Sequence, residues 1–145
     1  MDVNEITLYD IEDLFSRMNS DVDVAVVEGK RDRRALRENG FQKPIIECSS
    51  MSGFEVVQEI LDMNAQTAVV LTDFDEHGRK LFSEISKGLE MRGIKLKSIY
   101  RKKIKEILDT RNMKTIESLY NLRNKLDDSY GKRKGREKER RSQNS

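Results

Sequence analysis

Three carboxylates in this chain sit where α/β proteins do chemistry. Glu28 ends the apolar run Ala25-Val26-Val27, and Asp73 and Asp75 follow Ala68-Val69-Val70-Leu71. If the two runs are adjacent strands, the three acids converge in one crevice and repel each other. A hard divalent cation relieves that repulsion, and an all-oxygen donor set selects Mg²⁺, with Mn²⁺ as a substitute, over Zn²⁺. An Mg²⁺ ion bound by few carboxylates keeps coordination positions for phosphate oxygens. The plainer role for acids at strand ends is to cap the helices that follow. An Asp-x-Asp pair alone does not separate the two roles, so the elements around it must.

Those elements alternate. Thr7 to Asn19 carries Leu8, Ile11, Leu14, Phe15 and Met18 at helical spacing. Val22 to Val27 reads as a strand apolar on both faces. Lys30 to Asn39 reads as a short helix, with Gly40 at the left-handed stop position. Ile45-Ile46 is a second strand. Ser52 with Glu55 is a capping box that opens a helix through Met63, with Phe54, Val57, Ile60 and Leu61 inward. Ala68 to Leu71 is the third strand, and Val24–Glu28 and Val69–Asp73 are expected to lie side by side. A helix with Leu81, Phe82, Ile85 and Leu89 inward follows, then an edge strand from Ile94 to Ile99. Two amphipathic helices, marked by Ile104, Ile107 and Leu108 and then Ile116, Leu119, Tyr120 and Leu126, are expected to pack back on the sheet. The alternation predicts an α/β, Rossmann-like fold: a four-stranded, mostly parallel sheet with helices on both faces. In such sheets ligands bind beyond the carboxyl ends of the strands, where Glu28, Asp73 and Asp75 stand.

The order and context of two motifs resemble the Toprim family over roughly residues 22–100. Val26-Val27-Glu28-Gly29-Lys30-Arg31-Asp32 is similar to the family's hydrophobic-Glu-Gly-x-x-Asp motif. Val69 to Gly78 is similar to its Asp-x-Asp-x-x-Gly motif. The compact layout is similar to small stand-alone archaeal Toprim proteins, and Val26 to Leu36 to the Toprim part of bacterial ribonucleases that mature ribosomal RNA. The resemblance implies a Toprim core at 22–100 within a domain of residues 1–130. It implies Glu28 as general acid/base and metal ligand, Asp73 and Asp75 as Mg²⁺ ligands, and Asp32 as a supporting acid on the first helix. Gly29 and Gly78 would allow tight turns beside the site. His77 stands where topoisomerases carry a third acid, which weakens the case for a second metal. It reads as an exposed residue at a helix start rather than a general acid. No tyrosine sits in a recognisable nucleophile motif, and the expected chain has no room for strand-gating domains, so strand passage is not expected.

Charge points to a polyanionic partner. Residues 1–91 carry 10 basic and 19 acidic residues, residues 92–130 carry 11 and 5, and residues 131–145 carry 7 and 2. An acidic front joined to a basic back suits a nucleic acid, RNA or DNA, gripped by the back. Lys30, Arg31 and Arg34, with Arg33 and Arg37, make the first motif's helix basic and able to meet phosphate beside Glu28. Residues 131–145 read as a basic, disordered tail. Cys48 is the only cysteine, and it excludes an internal disulfide; it reads as a buried, inert thiol. No leader and no apolar span are visible, so no membrane is expected and the chain reads as cytoplasmic. The function expected is Mg²⁺-dependent chemistry on nucleic-acid phosphodiesters, as a nuclease or nucleotidyl transferase. The alternative is a non-catalytic RNA- or DNA-binding adaptor that retains the metal site. The sequence does not set the oligomeric state.

Overall fold

A computed structural model describes residues 3–126 of the chain, with side chains from residue 7. The expected tail at 131–145 lies outside the described residues. Four strands form one sheet: β1 (Val24–Val27), β2 (Ile45–Glu47), β3 (Thr67–Val70) and β4 (Lys95–Leu96). Their order is β2-β1-β3-β4 and every pairing is parallel. Ala25 faces Ile45 on one side and Val69 on the other, so β1 and β3 are central neighbours.

The helices are α1 (Val3–Asp21), α2 (Lys30–Glu38), α3 (Gly53–Asp62), α4 (Glu76–Met91), α5 (Ser98–Asp109) and α6 (residues 117–126). Strand side chains alternate between two cores. Ala25, Val27, Val69 and Leu71 meet α1, α2, α5 and α6 through Phe15, Met18, Leu36, Ile104, Leu119 and Leu122. Val24, Val26, Ala68 and Val70 meet α3 and α4 through Val56, Ile60, Ile85 and Leu89. Both strand faces are thus covered, which is why their sequences run apolar without alternation. Gly40 takes φ +91 just past α2, a conformation that side chains with a Cβ disfavour.

Two expected details differ. The fourth strand is only Lys95–Leu96, because α5 begins at Ser98 and Ile99 breaks the alternation, standing 54% exposed. On α3, Val56 takes an inward place and Phe54 turns out, 67% exposed. Close contact explains the rotation: an added Cβ at Gly88 would come within 2.8 Å of Val57 Cγ2, so α3 lies tight against α4 along that edge. Ser52 does cap α3, its hydroxyl accepting from Glu55 N–H at 3.1 Å. No described helix is long and apolar enough to cross a membrane.

Candidate metal centre

The sheet order sets the site. From β1 the chain moves out to β2, then returns to β3 on the other side of β1. The two connections leave in opposite directions and open a crevice at the carboxyl ends of β1 and β3. Glu28 follows β1 and Asp73 follows β3. The Asp73 N–H donates to Glu28 Oε2 at 2.9 Å, which stitches the strand ends together beyond the ladder.

Asp32, on the first turn of α2, completes the group. One carboxylate oxygen from each of Glu28, Asp32 and Asp73 lies within 4.8 Å of the others. Asp32 is buried and accepts from the Gly29 N–H at 3.1 Å, closing the first turn of α2 from inside. Asp73 Oδ1 accepts from the Ile116 N–H at 2.8 Å, at the start of α6.

Crowding three acids in a half-buried crevice shifts their protonation. Burial, a hydrogen bond with Glu28, and the Glu28 and Asp75 charges push Asp73 up to about 7, against the Ile116 N–H. Burial and the Asp73 charge push Asp32 up to about 6, against the Gly29 N–H. Asp73 and Asp32 thus favour a proton more than an exposed aspartate does, and a cation in the crevice would relieve the same repulsion. Glu28 Oε1, which does not hold the Asp73 N–H, lies 3.8 Å from His77 Nε2. His77 itself is exposed on the first turn of α4, where the sequence placed it.

The other expected residues fall in different places. Asp75 is the N-cap of α4, its Oδ1 accepting from the Gly78 N–H at 2.7 Å, and it lies outside the converging group of Glu28, Asp32 and Asp73. Asp32, expected behind the ligands, sits among the converging oxygens instead. Arg34 lies over the Tyr120 ring at 4.5 Å and donates to its hydroxyl at 2.6 Å, tying α2 to α6. Arg33 is held by Glu47 and the Ile45 carbonyl, and Arg37 by the Phe41 and Lys43 carbonyls. Lys30 and Arg31 remain exposed at the start of α2, beside Glu28. Thr72 is buried and its hydroxyl donates to the Gly78 carbonyl at 2.7 Å. A Cβ at Gly78 would overlap the Asp73 carbonyl, so only glycine lets α4 start this close to the site. Cys48 is buried, and burial with the Glu28 charge pushes its thiol up to about 11, an inert form.

Arg101 escaped sequence reading. It lies on α5, 28 residues beyond Asp73, in no motif. Its Nη2 donates to the Asp73 carbonyl at 2.9 Å and the Thr72 carbonyl at 3.3 Å. Its guanidinium is stacked between Phe74 and Phe82, 4.4 and 4.5 Å from the ring centroids. Burial lowers its pKa while the Asp73 and Glu28 charges act the other way. It fixes the backbone that carries Asp73 and sets one permanent cation behind the acids. The only signal for it was an arginine among lysines on a helix that packs on β3.

No family model matches the chain. It is similar to a UPF0292 protein of Methanocaldococcus jannaschii, 32% identical over 100 residues, which span 69% of this chain and 77% of that protein. It is similar as well to the UPF0292 protein of Pyrococcus furiosus, 32% identical over 77% of this chain and 82% of that one. A solved structure of a protein from Aquifex aeolicus superposes with a TM-score of 0.61 at 25% identity, covering 76% of this chain and 94% of that chain.

Proposed function

Since the chain belongs to the UPF0292 family, we propose from its own crevice that it is an Mg²⁺-dependent, Toprim-like protein acting on nucleic-acid phosphodiesters in the cytoplasm. The observation that carries this reading is the convergence of Glu28, Asp32 and Asp73 within 4.8 Å at the switch point of a parallel sheet. The donor set fits Mg²⁺ or Mn²⁺: all oxygen, with Asp73 and Asp32 raised towards neutrality by burial and by neighbouring acids. Glu28, Asp32 and Asp73 would hold the ion, with Asp75 behind them as a helix cap. When bound, the metal would polarise a phosphoryl oxygen and stabilise developing negative charge.

The chain's own groups divide the remaining work. Glu28 Oε2 is fixed by the Asp73 N–H, which leaves Oε1 to take or return a proton. Arg101 holds the Asp73 backbone still, so the carboxylates keep their spacing. Lys30 and Arg31, exposed beside Glu28, can meet phosphate oxygens on the outer side. Cleavage and nucleotidyl transfer both use this arrangement.

One observation favours the adaptor reading. Each of the three carboxylates already accepts a backbone N–H, from Asp73, Gly29 and Ile116, so the cluster also serves the fold. Incubating labelled structured RNA and DNA with the protein, with and without Mg²⁺ or Mn²⁺, separates the readings. A metal-dependent product that Glu28→Gln loses by about 10²-fold or more supports the enzyme. Salt-sensitive binding with no product under any metal supports the adaptor instead.

A further inference from the structure

We propose that a groove along α5, opening beside the acidic crevice, carries one single strand of nucleic acid toward it. This rests on the nucleic-acid reading above and adds where the strand lies and in what form. The groove encloses about 500 Å³ and is lined by Phe82, Ser98, Ile99, Arg101, Lys102 and Lys105. Three of those six side chains are cationic and none is acidic. This is the reverse of the crevice next to it, where three carboxylates meet.

Three features support this occupant, and the first of them selects a single strand. The first is an apolar floor among cations. Ile99 is 54% exposed although it is large and aliphatic, and Phe82 is only partly covered. Unstacked bases present apolar faces to such a floor, whereas a duplex hides them. The second is the uncapped start of α5. Its N-cap, Lys97, makes no side-chain cap, and no acid occupies the first turn, so the N–H groups of Ser98 and Ile99 stay available for a phosphate. The third is continuity. Arg101 lines the groove and also donates to the Asp73 carbonyl, and its guanidinium lies between Phe82 at the groove and Phe74 at the site. A strand seated there would run toward the backbone that carries Asp73, with its own backbone on Lys102 and its bases over Ile99 and Phe82. Lys105 is shared with Asp109 at 2.7 Å and contributes less.

The test uses the full chain, a fluorescein-labelled oligothymidylate and anisotropy in EDTA. Ile99→Glu with Lys102→Glu changes two exposed residues and leaves the core untouched. The double variant should lose about 10-fold or more in affinity and flatten the salt dependence. The exposed Lys87→Glu on α4 serves as a control for charge alone and should lose far less. Mn²⁺ binding should be unchanged in both. Duplex of the same length should bind more weakly than the single strand. Unchanged oligothymidylate affinity in the double variant would overturn the groove and leave the nucleic-acid reading standing. Equal affinity for duplex would overturn the single-strand assignment. Binding to phosphatidylserine vesicles that the double variant abolishes, with no oligonucleotide binding by the wild type, would make the groove a membrane contact. That result would overturn the groove and the nucleic-acid half of the proposed function together, while Mn²⁺ binding would still report on the acids.

Discussion

The Asp73 carboxyl has two partners to choose between: a proton or a cation. Asp73 and Asp32 bind protons more tightly in the fold than in the unfolded chain, where an aspartate titrates near 3.9. Their contribution to stability is therefore full below about pH 4 and is lost as pH rises through about 6 and then about 7. Asp21 and Asp23, whose pKa values are lowered by Tyr100 and by the Gln66 N–H respectively, act in the opposite sense at lower pH. Between about pH 5 and 8 the two site acids should dominate the difference between wild type and Asp73→Asn. Thermal melts of the metal-free protein should fall by several degrees across that window, about 3–6 °C, and those of Asp73→Asn should fall less. Mg²⁺ should restore the wild type at pH 8 and do little at pH 5, because it must displace the proton. A wild-type melting curve that ignores pH in this window would remove the raised pKa values of Asp73 and Asp32 from the account.

The acids meet because of their elements, and the elements were unequally legible. Glu28 and Asp73 could be placed from the sequence, because each ends a fully apolar strand and such strands are central in parallel sheets. Asp32 was visible only as part of a motif, since its inward turn depends on the α2 helix phase and on the Gly29 N–H it accepts. Asp75 looked like a ligand because it stands two residues from Asp73. One of its oxygens caps the start of α4 and the side chain falls outside the converging group, a placement made by local geometry that spacing does not encode. Arg101 and the Ile116 N–H come from far along the chain, and no local pattern announces a contact made through tertiary packing. Phe54 misled for a similar reason: the α3 stripe is set by its contact with α4, not by hydrophobicity alone. Two predictions belong here. Asp75→Asn should cost little, while Asp75→Ala should lose about 1 kcal/mol in urea denaturation, as for a lost cap. Both should keep metal binding. Leu119→Ala, which empties a buried position on α6, should cost about 2–4 kcal/mol. It should also weaken metal binding, because the start of α6 holds Asp73.

At the scale of the whole molecule, charge is unevenly divided. The front, residues 1–91, is acidic and holds the site, whereas residues 92–145 carry the positive excess. On the proposed function, the acids cannot draw a polyanion toward themselves, and attraction would come from residues 92–145. Affinity for RNA or DNA should fall steeply with salt, through release of condensed counterions. Deleting residues 131–145, which hold seven basic residues, should weaken binding and flatten that slope while leaving the melting temperature unchanged. A deletion that leaves both affinity and slope intact would shift the grip wholly onto the described domain.

The most direct measurement of the central claim is Mn²⁺ binding followed by electron paramagnetic resonance, at neutral pH and without nucleic acid. The wild type should bind one Mn²⁺ per chain at the carboxyl ends of β1 and β3. Asp73→Asn and Glu28→Gln should each lose most of that affinity, about 10-fold or more, and Asp32→Asn should follow them. Asp75→Asn should bind nearly as the wild type does, since its carboxylate caps α4. Mn²⁺ bound equally well by Asp73→Asn and Glu28→Gln, or not bound by the wild type at millimolar concentration, would contradict the account.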